Sequence, residues 1–161
     1  MASDDLPVFY KAEKSEIIKI VSLAAAVGLL IPLLSEVISV WVIAPIFCQN
    51  PNDISICTNG GMISYYISAV IINIAAVSLL INIDVNKPLV IVFGSLLALW
   101  GLKGFLTPLM SGSFVEYLII SVVLYVLCYV AFYWFMRIRS FGLAMFFAAV
   151  TVMAVRWILL V

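Results

Sequence analysis

Two opposite charges lie inside otherwise apolar sequence, and they carry the clearest chemistry in the chain. Glu36 falls within the apolar run 17–47 and Lys103 within the run 88–106. A charge at membrane depth is expensive unless it faces a partner or water. The two residues therefore predict either an ion pair inside a helix bundle or a relay for ions or protons. Glu36 is eleven residues before Phe47, about 16 Å along a helix, which places it near the centre of a bilayer. Pro32, one turn earlier, frees the carbonyl of Gly28 and is able to kink the helix. Gly28, Pro32, Ser35, Glu36 and Ser39 then share one broad side. Lys103 precedes Pro108 by five residues, and the lean of helical side chains towards the helix amino end tips it towards the depth of Glu36. Three arrangements are open to Lys103: a pair with Glu36, a pair with Glu116 near the outer edge, or snorkelling outward.

Glu116 has a second reading as a cap, because Ser113-Phe114-Val115-Glu116 carries capping-box spacing. Arg156, the remaining outer-end charge, is explained by snorkelling with the carboxyl terminus as counter-charge. Cys48 and Cys57 flank a turn-forming run, Asn50-Pro51-Asn52-Asp53. A disulfide between them suits an oxidising exterior and would stabilise the fold by about 2–3 kcal/mol through loop entropy. The chain has no Cys-x-x-Cys pair, so redox catalysis is disfavoured, and Cys128 reads as a small buried packing residue.

Histidine is absent altogether, which removes the commonest metal ligand and the commonest general base. No nucleophile, base or ligand set converges in the sequence. No catalytic residue, metal site or cofactor is expected. The formal net charge is zero, with no basic cluster, so nucleic acid is not an expected partner.

These residues are positioned by five apolar blocks, at 17–47, 62–83, 88–106, 114–136 and 141–161. Each matches or exceeds the length a spanning helix needs. With 66% hydrophobic residues and sixteen formal charges, the chain lacks the polar surface of a water-soluble protein. Barrel strands would alternate apolar and polar residues, whereas 70–81 and 119–126 are nearly continuous apolar runs. The expected fold is all-α: a polytopic five-helix transmembrane bundle with short connectors. Residues 1–16 form a cytoplasmic segment, with an interfacial helix plausible on its mixed Phe, Tyr, Lys and Glu content, and 17–161 form one transmembrane domain. The first block is too long for a cleavable signal sequence and reads as a retained anchor.

Lys11, Lys14, Lys19, Lys87, Arg137 and Arg139 fall on one side of this arrangement, against Lys103 and Arg156 on the other. Basic residues are retained in the cytoplasm. The amino terminus is thus expected inside, the carboxyl terminus outside, and the cysteine loop external, in the cell membrane.

Helix packing in lipid relies on small and weakly polar residues. Ser64, Ser68, Ile71, Ala75, Ser78 and Asn82 form such a stripe on the second helix. Gly94, Ala98 and Gly101 form one on the third, and Ala144, Ala148 and Thr151 one on the fifth. Tyr125, Tyr129 and Tyr133 recur every four residues in the fourth block and are read mainly as part of an interfacial belt. Asn86 is expected to cap the third helix, and Thr107-Pro108 to stop it. A shift of 53 residues lays the second and third helices on the fourth and fifth, the pattern of a parallel repeat. With lipid as solvent and no chemical motif, the expected role is a non-catalytic structural or assembly component that packs with itself or with other membrane proteins. The alternative is a small transporter or channel protomer using Glu36 and Lys103.

Overall fold

The computed structural model describes residues 14–48, 54–83, 85, 87–109, 113–138 and 140–160. Among these the regular structure is helical and contains no strand. Helix α1 (Lys14–Ile38) continues through a π-helical turn (Ser39–Ile43) into the short α2 (Ala44–Phe47). The result is one rod of 34 residues, about 51 Å long at 1.5 Å per residue. Helix α3 is Ile54–Asn82, α4 Pro88–Ala98, α5 Leu102–Leu109, α6 Phe114–Met136 and α7 Phe141–Leu160. Five of these stretches are long and apolar enough to cross a membrane, with α4 and α5 together making the third. The expected interfacial segment and the turn 50–53 lie outside the described residues, apart from 14–16, which open α1.

Pro45 explains the π turn. Its ring excludes the α-type bond to the carbonyl one turn back, and a widened turn just before it absorbs the mismatch, with Ala44 N–H bonding the Ser39 carbonyl. The third span departs from the sequence expectation in the same way, by local backbone chemistry. It is not one helix: the chain breaks at 99–101, where Gly101 takes a φ of +96°, a conformation that glycine adopts readily and other residues resist. The break is tolerated at this depth because it is sealed in protein, with Leu99 and Leu102 both buried. The fifth span is unbroken, so the two hairpins compared by the 53-residue shift are not built alike. Pro108 does not stop the third span, since α5 runs on to Leu109. Lys87, at φ 55°, is the residue that caps α4; Asn86 lies outside the described residues.

Helix α1 is the centre of the bundle, packing most extensively on α6 and α3, while α4 leans on α3 and α6 and α7 closes one side. The α1–α6 crossing depends on Gly28. A Cβ there would stand 2.7 Å from Val122 Cα and 3.1 Å from the Ser121 carbonyl oxygen, so any side chain would push two backbones apart. Gly94 makes room for the Phe132 ring in the same manner. A Gly28→Ala variant is expected to lose about 1–3 kcal/mol from this overpacking, read by detergent or thermal unfolding. Gly142→Ala, where a Cβ meets nothing within 4 Å, is expected to stay within about 0.5 kcal/mol of the parent.

Candidate functional site

The break in the third span places Lys103 in the first turn of α5, a helix end that disfavours positive charge. Its ammonium donates to Glu36 Oε1 at 3.4 Å and to Ser35 Oγ at 3.3 Å. Ser35 and Ser64 hydroxyls meet at 3.2 Å, and Ser64 also donates to the Gly61 carbonyl at 3.0 Å. One network thus joins α1, α3 and α5. The pair of Lys103 with Glu36, one of the three arrangements open to it, is present. Gly61 of α3 lies beside it, where a Cβ would make ordinary contact with the ammonium nitrogen at 3.4 Å.

Along the first rod Glu36 stands eleven residues before Phe47, about 16 Å of helix rise, and the adjacent Gly61 stands seven residues into α3, which opens at Ile54, about 10 Å. The pair is not sealed within the bundle: the Glu36 side chain is 45% exposed and that of Lys103 19%. Beyond it, Cys48 and Cys57 lie at disulfide distance, with Cα atoms 5.1 Å apart.

Below the pair, polar groups continue through the interior. Tyr65 on α3 donates to the Leu99 carbonyl at the break, at 3.3 Å. Tyr129 on α6 donates to Asn73 Oδ1 at 3.2 Å, and Asn73 Nδ2 donates to the Ala69 carbonyl at 2.7 Å. At the opposite end Tyr133 donates to Glu16 Oε2 at 2.7 Å. Between these, Tyr117, Ser121 and Tyr125 line the same side of α6, all three buried, with Tyr125 beside Tyr65 and Asn73. The seam runs the length of the bundle.

Several residues chosen from the sequence lie elsewhere. Ser64 and Ser68 are buried, but Ala75, Ser78 and Asn82 are exposed. The buried face of α3 instead follows Tyr65, Ala69, Asn73, Ala76 and Leu80. Ser78 needs no neighbouring helix because its hydroxyl bonds the Ile74 carbonyl. Ala98 is buried and Gly94 faces Phe132, whereas a Cβ on Gly101 would meet nothing within 4 Å; Gly101 serves the break, not a packing stripe. Tyr125 and Tyr129 are fully buried core residues, while Tyr133, also buried, stands at the bundle end with Glu16 and Arg137. Ser113 caps α6 without a side-chain bond, Glu116 is exposed in its first turn, and Arg156 is partly buried on α7. Asn73 is the seam residue that sequence reading passed over, though an amide within 70–81 was a visible signal. Cys128 is buried. No group of three or more metal-ligating acidic or cysteine side chains occurs among the described residues.

A double-mutant cycle of Glu36→Gln and Lys103→Met is expected to give a coupling of about 0.5–1 kcal/mol, because a half-exposed pair is screened; a coupling above about 3 kcal/mol would mean a sealed pair. Comparison with known protein families, with curated proteins and with solved structures finds no match to this chain.

Proposed function

We propose that the chain is a small, non-catalytic integral membrane protein, a structural or assembly component that packs with itself or with other membrane proteins. The surface around Glu36 carries this reading. Val37, Val40 and Trp41 are all exposed beside the half-exposed carboxylate, on a rod held rigid by the Glu36, Lys103, Ser35 and Ser64 network. A fixed polar group framed by apolar side chains is the composition of a membrane helix contact. The rod spans the cell membrane with its amino end in the cytoplasm. That orientation is supported by Lys14, Lys19, Lys87 and Arg137 at one end of the bundle, where Lys87 lies over the Phe141 ring and Arg137 over Tyr133 and Trp134. The cysteine pair then stabilises an external loop.

A second reading, a small transporter or channel protomer, is favoured by the polar seam that links the Glu36 end to the Glu16 end. It ranks lower because the seam is filled by fully buried tyrosines and offers an ion no open lane.

Proteoliposomes containing the full chain separate the two. The expected result is ion and proton flux at the level of empty vesicles, together with self-association in a dilution series of labelled protein that Glu36→Gln or Trp41→Ala weakens. Flux that Glu36→Gln and Lys103→Ala abolish in a folded protein would establish the transporter instead. Impermeant maleimide applied to intact cells after reduction is expected to label Cys48 and Cys57; labelling only after membrane disruption would reverse the orientation.

A further inference from the structure

Arg156 is a guanidinium inside an apolar span, and among the described residues no carboxylate stands within ion-pair distance of it. It sits at the edge of the packed face of α7. Val152, Val155 and Leu159 lean on the core, whereas Met153 and Trp157 are 72% and 75% exposed; Arg156 itself is partly buried. Of the five spans the fifth is the least covered, with 11% of its residues buried against 33–44% in the other four. A charge at such a place requires a counter-charge or water.

Glu36 offers the counter-charge at the same level. Lys87, which caps α4, lies 5.5 Å over the ring of Phe141, which opens α7, so the third and fifth spans set out from one end of the bundle and run the same way. Lys103 follows Lys87 by sixteen residues and Arg156 follows Phe141 by fifteen, about 24 Å and about 22 Å of helix rise. Arg156 therefore stands level with Lys103, whose ammonium reaches Glu36. Glu36 also stands at an edge, between buried Ser35 and exposed Val37. Lys103 engages its Oε1, and the half-exposed carboxylate remains open on the side away from the bundle. A carboxylate accepts several hydrogen bonds, and a guanidinium meets it as a planar fork. Within one copy the two do not pair, since α1 packs on α3 and α6, and α7 on α4 and α6.

We propose that Glu36 of one copy pairs with Arg156 of a second copy, joining the α1 face at Val37 and Trp41 to the α7 face at Met153 and Trp157. The pairing rests on the self-packing reading given above and names the contact that carries it. Charge selects the occupant: a second copy presents an anion on one face and a cation on another at one depth, while lipid chains answer neither. Because the two faces differ, the contact is head to tail, and copies joined by it form a ring or a row in the plane of the membrane.

Two measurements on the full chain test it. In liposomes, a dilution series of donor- and acceptor-labelled protein reads self-association. Arg156→Met is expected to weaken it by about 3- to 30-fold, the range of an interhelical polar contact, and adding Glu36→Gln to that variant is expected to weaken it no further. The unfolding midpoint of Arg156→Met in dilute detergent is expected to equal that of the parent; a lowered midpoint would assign Arg156 to its own bundle and overturn the pairing. In isolated cell membranes, where all copies share one orientation, a Glu36→Cys chain and an Arg156→Cys chain are made together and oxidised with copper-phenanthroline and oxygen. A disulfide between the two chains, well above that of either made alone, is expected. Parent-like association of Arg156→Met, or no cross-link above the single-variant controls, overturns the pairing and leaves self-packing to another face, with Arg156 served by lipid phosphate. A parent chain that stays monomeric at every dilution overturns the pairing and the self-packing reading together.

Discussion

Hydrocarbon offers no hydrogen bonds, and that one constraint organises this bundle. A polar group that enters the lipid-depth interior must be satisfied by the chain itself, and the helices do so in two ways. The first is local. Ser68, Ser78, Ser95 and Thr151 each return a hydroxyl proton to the carbonyl four residues back, which makes a serine or threonine compatible with lipid or with a dry interface alike. The second crosses between helices and fixes their relation: Lys103 with Glu36 and Ser35, Ser35 with Ser64, Tyr65 with Leu99, Tyr129 with Asn73 and Tyr133 with Glu16. Cross-helix bonds specify a register that apolar packing alone leaves loosely defined, because lipid chains compete equally well for apolar side chains.

The two kinds of contact depend on each other. Gly28 lets α1 and α6 approach until their backbones nearly touch, and that approach brings the tyrosines of α6 up to α3 across the narrow part of the core. Glycine has a different role at 101. There the positive φ turns the chain, interrupts the third span and aims Lys103 at α1. The carbonyl of Leu99, left at the break, receives the Tyr65 hydroxyl from α3. Break, ion pair and tyrosine bond are consequently a single construction. A straight third helix would lose the alignment of all three.

Five spans were legible because each depends on a long-range average of hydropathy, which single residues barely disturb; the early start of α3 at Ile54 was not. The meeting of Glu36 with Lys103 was visible as one of three arrangements, since few charges exist at that depth to choose from. Details that hinge on a few degrees of helix rotation were not legible. On α3 the stripe through Ala75 and Ser78 and the buried face through Asn73 and Ala76 have similar periodicity and lie only one or two residues apart in phase. Size alone cannot separate them when serine satisfies itself. The same uncertainty of phase hid the complete burial of Tyr125 and Tyr129 on α6.

The location of the ion pair bears most directly on what the bundle is able to do. A carboxylate at the bilayer centre, with water on either side, would invite the reading of an ion-binding midpoint between two half-channels. Glu36 instead has the Lys103 ammonium 3.4 Å away, a partner within the chain that answers its charge without a bound ion. Between this pair and the Tyr133–Glu16 bond at the far end, the interior is occupied by side chains such as Tyr65, Tyr125 and Tyr129, each fully buried. Such a core fills the interior with side chains while keeping polar groups along it. On the proposed reading of a structural component, this polarity acts as internal cement, and the exposed apolar stretch beside the half-exposed Glu36 serves outside contact.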